Sequence, residues 1–369
     1  MIILESANDI KDMARGAVLL GTGGGGDPYV GQLFLQAQLK AGRFPKVIAS
    51  EAIADDAFVL SIAGIGAPTV IVEHLVSDKT LLRLLARAEA FYGRRVDALI
   101  SAEIGGANSM FPLALSAISG IPVLDADGIG RAVPHIEMTT FSIHGCKATP
   151  CILMDDSGNV AVIEAVDDRA AEELCRSVTA AMGALTFGAL YPMSGAQAKA
   201  FAVQGTLTQT LEIGRAIRVA REKGRDIFAQ LIACLESRDG RAARILFDGR
   251  IVDVVHDTRD GWHYGHVRLR AIGACDDECV VEFQNEFTVA RINGETATIV
   301  PDLITLLDRE SGEPLTAEML AYGQRVKVLG YAADAQLRTA QSLEVLGPRQ
   351  FGLNEDFQPI EYLRGIVTN

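Results

Sequence analysis

The feature that most constrains the fold is a repeated order of short apolar run, glycine-containing loop and helix in the first half of the chain. The apolar runs have the length of buried strands and occupy residues 46–49, 58–63, 97–101 and 121–124. The segments between them have helical apolar spacing and occupy residues 31–41, 81–92 and 112–119. This alternation predicts an α/β fold: an N-terminal α/β domain over residues 1–166 with a largely parallel sheet.

The pattern changes after residue 166. Amphipathic helices are predicted at 167–182 and 207–223. Short β-rich runs then alternate with the turn signals Asp248-Gly249, Asn293-Gly294 and Ser311-Gly312. We therefore predict a C-terminal domain over residues 167–369, in which helices are followed by a β-rich subdomain at about 244–330. A length of 369 residues agrees with two domains.

Composition excludes several classes of protein. The net charge of −13 argues against nucleic-acid binding, which needs clustered Lys and Arg. No apolar run reaches the roughly 20 residues of a membrane helix. The six cysteines form no C-x-x-C pair, so we predict reduced thiols and a cytoplasmic protein. We further expect a homo-oligomer and a small-molecule substrate.

Four consecutive glycines, Gly23, Gly24, Gly25 and Gly26, form the least ordinary stretch of the chain. Without Cβ atoms, such a loop can approach a ligand closely, and its amides can bind an anion or an oxyanion. We predict that this loop binds substrate together with its flanking side chains, Thr22 and Asp27. The alternative is a helix C-cap followed by a tight turn.

The same loop matches the spacing of a dinucleotide-binding fingerprint at Gly21, Gly23 and Gly26. That fingerprint requires a strand before the loop and a helix after it. Here a helix is predicted at residues 6–20, directly before the loop, and Glu51 is the nearest candidate for the acidic residue that follows. We therefore expect no nucleotide cofactor.

Acid and amide side chains follow two of the predicted strands. Glu103 and Asn108 come after the run at 97–101, and Asp125 and Asp127 come after the run at 121–124. Ligands of open parallel sheets bind at the carboxyl ends of the strands, so these side chains are candidate site residues. The alternative is that acids and glycines simply form good turns at these positions.

If residues 136–143 are extended, His135 and Glu137 lie on one face and can line one pocket. A neutral imidazole beside a carboxylate can act as a base with its orienting group. The alternative is a structural histidine in a loop next to Pro134. Further along, alternation predicts that Glu282, Gln284 and Glu286 share a solvated strand face.

Several motifs occur together in one known family. They stand in the order Gly21–Pro28, Gly66–Val70, Glu103–Asn108, Asp125–Ala132, Val281–Glu286, Val300–Ile304 and Gly347–Gly352. On these motifs the chain resembles the S-methyl thiohydantoin desulfurase family over about residues 5–360. The resemblance implies a hydrolase that replaces sulfur by oxygen at C2 of a hydantoin-like ring. A non-catalytic subunit that binds a small metabolite and partners a hydantoinase- or oxoprolinase-type enzyme is the alternative.

With that reaction in view, we expect Glu103 to be the general base and Asp127 a second acid or orienting group. Asn108, Arg131 and Glu73 are expected to bind substrate, Asn108 at a ring amide and Arg131 at a carboxylate. A divalent metal held by Asp125, Asp127 or His135 is left open, since no ligand spacing requires it.

The chain departs from the family pattern in two places. It has Val133-Pro134-His135 where members usually have Phe-Pro-Glu, and His74 follows Glu73 where Lys is usual. If those positions contribute to catalysis, we expect a different ring as substrate or weak activity.

Overall fold

The computed structural model describes residues 4–66, 78–259, 262–273 and 275–363, so the predicted Glu73 and His74 lie outside the described residues. The α-helices are α1 (Ala7–Leu20), α2 (Tyr29–Lys40), α3 (Asp78–Tyr92), α4 (Met110–Ser119), α5 (Thr140–Ile143), α6 (Asp168–Ala181), α7 (Gly195–Phe201), α8 (Thr206–Glu222), α9 (Ile227–Asp239) and α10 (Ala340–Leu346). The first eight strands are β1 (Val47–Ile48), β2 (Phe58–Gly66), β3 (Ala98–Ser101), β4 (Val123–Asp127), β5 (Cys151–Met154), β6 (Val160–Ile163), β7 (Leu185–Ser194) and β8 (Val203–Gln204). The remaining strands are β9 (Ala243–Arg259), β10 (Trp262–Ala271), β11 (Glu278–Gln284), β12 (Glu286–Ile292), β13 (Glu295–Ile299), β14 (Leu303–Asp308), β15 (Pro314–Leu315) and β16 (Arg325–Tyr331).

The first sheet is mixed and carries helices. Its strand order is β1-β4-β3-β2-β7-β5-β6, with β8 beside β4. The pairs from β1 through β4 and β3 to β2 are parallel, and the pairs beyond β2 are antiparallel. The ends of β2, β3 and β4 therefore meet at one edge, where a ligand site is expected. Because β7 and β8 follow residue 166, this sheet extends past the predicted domain boundary.

The second sheet is antiparallel throughout, in the order β13-β12-β11-β10-β9-β16-β14-β15. It confirms the prediction of an α/β fold joined to a β-rich C-terminal part. The turn predicted at Asp248-Gly249 is wrong, because both residues lie inside the 17-residue strand β9. Asp248 pairs with Lys327 of β16, and Gly249 pairs with Val326. Pairing with the neighbouring strand thus outweighs the local preference of Asp-Gly for a turn.

Helix α1 ends directly before the glycine loop, which lies between the two sheets. Ser6 caps the helix, and its buried face includes Ile10 and Met13. Helix α8 packs against α1 with the two backbones in contact: a Cβ atom on Gly16 of α1 would lie 1.8 Å from the carbonyl oxygen of Thr210 in α8. The start of the loop is thus fixed by close helix packing. Among the described residues, no helix is long and apolar enough to cross a membrane.

Candidate active site

A cavity of about 150 Å³ opens between the first sheet and the second. Gly24, Gly25 and Gly26 form part of its wall, together with the end of β2 and the loop that follows β3. Its polar side chains come from both halves of the chain: Glu103, Asn108, His135, Thr139, Glu172, Arg176, Tyr191, Asn285, Glu286 and Glu318. The edge at which parallel strands end is therefore covered by residues from the antiparallel sheet.

The glycine loop is held by backbone hydrogen bonds to both halves of the chain. The carbonyl oxygen of Gly25 accepts from the amide of Ala107 at 2.9 Å, and that of Gly23 accepts from Ala317 at 2.8 Å. Gly23, Gly25 and Gly26 have φ values of 89°, 74° and 74°, a region that favours glycine. At Gly25 a Cβ atom would also lie 2.6 Å from the carbonyl oxygen of Gly105. The loop thus needs glycine for its own conformation as well as for the space beside a ligand.

Three of the predicted substrate-binding side chains do not line the cavity. Thr22 is fully buried and accepts a hydrogen bond from Arg131 at 3.0 Å. Arg131, 1% exposed, also donates to the carbonyl oxygen of Pro301 at 2.6 Å and so joins the two halves of the chain. Asp27 is exposed and accepts from the amide of Tyr29 at the start of α2. In this structure the three residues shape and anchor the loop.

Glu103 lies in the cavity wall directly beyond β3, with 8% of its surface exposed. Its Oε1 accepts from the Asn108 side-chain amide at 2.8 Å, and its Oε2 accepts from the amide of Val133 at 3.0 Å. Asn108 is itself oriented by the amide of Gly64, which donates to its Oδ1 at 2.7 Å. Burial raises the pKa of Glu103 to about 7, against these two donors. A carboxyl group so placed can exchange a proton near neutral pH.

Asp127 at the end of β4 is fully buried and is not among the residues that line the cavity. Its Oδ2 accepts from the amides of Ile104, Ile129 and Gly130 at 2.8, 3.1 and 2.8 Å. Burial raises its pKa to about 7, and the three amides oppose that change. Asp127 therefore fixes the loop after β3 against the loop after β4. It positions Glu103 through the backbone next to it.

Residues 136–143 are not extended, so the condition for His135 and Glu137 to share a strand face is not met. Ile136–Met138 is a 3₁₀ turn and α5 follows, because the Thr139 side chain caps the helix by accepting from the amide of Ser142. His135 lines the cavity and Glu137 does not, although His135 Nδ1 lies 3.8 Å from Glu137 Oε1. Burial and the nearby Arg176 and Arg169 charges lower the pKa of His135 to about 4. Its ring is thus neutral near pH 7 and a weak proton acceptor.

Helix α6 supplies the cavity with a cation. Arg176 lines it, pairs with Glu172 one turn earlier on the helix and donates to the carbonyl oxygen of Pro134 at 2.9 Å. Its guanidinium lies 3.8 Å from the ring centre of Trp262, whose ring centre is 4.5 Å from that of His135. Among the described lining residues, Arg176 is the sole arginine or lysine. Arg131, the arginine predicted to bind substrate, does not line the cavity.

Glu286 is a cavity residue that the sequence analysis placed on a solvated strand face. Asn285 has a φ of 58°, which ends β11 and starts β12 at the next residue, so the predicted alternation with Glu282 and Gln284 is wrong. Glu286 is 2% exposed and faces the cavity. The asparagine before it, a residue that tolerates positive φ, was the signal in the sequence for this turn.

The residues considered for a metal are not brought together. Asp125 accepts from the amide and the hydroxyl of Thr208, and Asp127 is bonded to backbone amides. Within the part of the chain that the structure describes, no three His, Cys, Asp or Glu side chains are placed to hold a metal ion.

Comparison with known families decides what kind of protein this is. Residues 8–165 match the model described as "S-Me-THD-like, N-terminal domain", and residues 166–360 match "S-Me-THD-like, C-terminal domain". The chain belongs to the S-Me-THD-like family. The resemblance to the S-methyl thiohydantoin desulfurase family seen in the sequence motifs is thereby confirmed. No curated protein matches the chain.

A crystal structure of a protein from Chromobacterium violaceum has the same fold. The likeness covers 98% of this chain and 100% of that one, with a TM-score of 0.80 and 24% sequence identity. At that identity it shows the fold alone. Within the S-Me-THD-like fold, Val133 and His135, where this chain departs from the family pattern, both line the cavity.

Proposed function

We propose that this S-Me-THD-like protein is a hydrolase that replaces sulfur by oxygen at C2 of a thiohydantoin-type ring. The family description supports a thiohydantoin-related substrate. The observation that carries the reaction is Glu103, a carboxyl group buried in the cavity wall and held by two hydrogen bonds. Burial raises its pKa to about 7, and a general base is most effective when its pKa lies near the working pH.

In this proposal Glu103 removes a proton from the water that attacks ring C2. Asn108 and the amide of Val133 hold the carboxylate in one orientation, which keeps the water at the correct place for attack. The glycine loop gives the flat ring close access to that water, because Gly24, Gly25 and Gly26 present no side chains to the cavity. Arg176 is available for a negatively charged substituent on the ring.

Turnover of a panel of rings tests the proposal. Purified protein is incubated with hydantoins, thiohydantoins and S-methyl thiohydantoins, with and without chelator, and released thiol or sulfide is measured. We expect release from a sulfur-containing ring, and a loss of about 10²-fold or more in Glu103→Gln with the fold retained. Retained turnover in that variant removes Glu103 from the mechanism. Tight binding without release from any ring instead favours a non-catalytic binding subunit.

A further inference from the structure

Glu286 is a second buried carboxyl group in the same cavity, and it comes from the antiparallel sheet. It is 2% exposed and lines the same cavity as Glu103. Within the described part of the chain, its Oε2 has no hydrogen-bond partner although the atom is buried. A buried polar atom without a partner costs free energy, and in the wall of a cavity a ligand can supply the missing hydrogen bond.

The backbone on both sides fixes where this carboxyl group lies. The amide of Asn285 donates to the carbonyl oxygen of His263 at 2.7 Å, and the Asn285 side chain accepts from the His263 amide at 2.9 Å. On the other side, the amide of Phe287 donates to the carbonyl oxygen of Thr22 at 2.6 Å. Glu286 therefore stands on a short, doubly anchored turn that touches the glycine loop directly.

Gly24, in the glycine loop, leaves the space that the Glu286 side chain occupies. A Cβ atom on Gly24 would lie 2.1 Å from Oε1 of Glu286 and 2.6 Å from its Cδ. Real side chains do not approach so closely, so any other residue at Gly24 would displace the carboxyl group. The loop from the first half of the chain is thus shaped around an acid from the second half.

The two carboxyl groups differ in the ease with which they ionise. Burial raises the pKa of Glu286 to about 8, and the charge of Glu103 raises it while Arg131 lowers it. Burial also raises the pKa of Glu103, to about 7, while the hydrogen bonds from Asn108 and the Val133 amide oppose that rise. When two carboxyl groups share a site, one ionises and the other retains its proton. Both oxygens of Glu103 accept a hydrogen bond, whereas Oε2 of Glu286 has no partner among the described residues, so we assign the charge to Glu103 and the proton to Glu286.

We propose that Glu286 is the general acid of the reaction and donates its proton to a ring nitrogen as water adds to C2. The inference rests on the function proposed above. As the water oxygen bonds to C2, Glu103 takes one of its protons, and the electron pair of the C2–N double bond moves to the ring nitrogen, which takes the proton of Glu286. The C2–S bond then breaks, its electron pair leaves on sulfur, and sulfur takes the proton from Glu103. The remaining hydroxyl proton returns to Glu286 as the C2 carbonyl forms.

Atoms, electrons and protons balance in this series of steps without any further reactant. One water supplies the oxygen of the product and two protons, of which one leaves on sulfur and the other replaces the proton that Glu286 gave to nitrogen. Both carboxyl groups end in their starting states. If the role of Glu286 were purely structural, Glu286→Gln would turn over substrate as fast as wild type, because Gln has the shape of a protonated Glu.

The test compares Glu286→Gln with wild type and with Glu295→Gln, a matched neutralisation at an exposed residue of β13. Gln has the shape of a protonated Glu and donates hydrogen bonds but cannot transfer a proton. We expect Glu286→Gln to fold and bind the ring, to lose about 10²-fold or more in kcat, and to lose the fall in rate at alkaline pH that wild type shows. Glu295→Gln should keep wild-type values.

An infrared difference spectrum reads the proton on Glu286 without turnover. At about pH 7, wild type minus Glu286→Gln should show the carbonyl band of a protonated carboxylic acid, and wild type minus Glu295→Gln should show ionised carboxylate. An ionised Glu286, or full turnover in Glu286→Gln, overturns the acid role while wild-type activity upholds the proposed function. A wild type that releases no thiol from any ring contradicts the proposed function itself, and the acid role falls with it.

Discussion

A Cβ atom on Gly24 would lie 2.1 Å from Oε1 of Glu286, although more than 260 residues separate the two in the chain. Gly24 lies in the loop after α1 in the first half of the chain, and Glu286 stands on the turn between β11 and β12 in the second. The site is therefore complete only when the two halves are docked. The contact also explains why a glycine is needed at a residue whose own φ is not in the left-handed region.

Gly24→Ala should consequently reduce turnover by displacing the Glu286 carboxyl group. We expect kcat to fall by about 10-fold or more, because a misplacement of about 1 Å in a catalytic site can cost about 10²-fold. Gly42→Ala is the control: Gly42 has a φ of 73° with open space around it, so alanine there strains the backbone but touches nothing. Equal turnover in both variants, measured by thiol release, would show that the Gly24 contact is unimportant.

The rate should depend on pH with a narrow maximum between about 7 and 8. Glu103 must be ionised to act as base, so the rate rises as pH passes its pKa of about 7. Glu286 must be protonated, so the rate falls as pH passes its pKa of about 8. Because the two carboxyl groups interact, the apparent pKa values of the rising and falling sides of the profile belong to the pair and not to either residue alone. A profile of kcat/KM against pH measures them. A plateau that continues to high pH would contradict the requirement for a protonated Glu286.

The same buried acid should make the fold less stable at high pH. The pKa of Glu286 is raised from 4.5 to about 8, so the folded protein binds one more proton than the unfolded chain between these values. Relative to Glu286→Gln, the free energy of unfolding of wild type should fall by up to about 1.4 kcal/mol per pH unit across that range and then level off. Urea unfolding at about pH 5, 7 and 9 measures it. A difference between the two proteins that does not change with pH would refute the shift.

Trp262 should report ligand binding, because it is the one tryptophan of the chain and packs against two cavity residues. We expect its emission to change on titration with a ring that fills the cavity, and Trp262→Phe to abolish the signal.

Arg176→Gln should weaken binding of a ring with an acidic substituent by about tenfold or more, since a hydrogen bond to a charged group contributes about 1.5–3 kcal/mol. A neutral ring is the control. Equal effects on both rings would exclude Arg176 as the anion-binding group.

Local sequence patterns predicted the first half of the fold and part of the site. The order of strand, loop and helix placed Glu103 and Asn108 at a strand end, and both line the cavity. The helix that precedes the glycine loop was likewise evident from Ser6 and the apolar spacing that follows it. These features depend on neighbours in sequence, which periodicity and capping describe well.

The remaining features depend on contacts between distant parts of the chain. Nothing near Arg131 in the sequence shows that the carbonyl oxygens of Pro301 and Asp302 would accept its hydrogen bonds and take it away from the cavity. Glu286 was assigned to a solvated face because a single residue, Asn285, turns the chain and moves it to the next strand. Strand alternation has no means of showing which turn of the second sheet closes over the first.

Incorporation of labelled oxygen tests the central claim most directly. The purified protein is incubated with an S-methyl thiohydantoin in ¹⁸O-labelled water, and the product and released thiol are quantified by mass spectrometry. The account predicts one labelled oxygen at ring C2 for each thiol released, and about 10²-fold less of both in Glu103→Gln. A product that retains its sulfur, or a ring opened with the label at a different carbon, would contradict it.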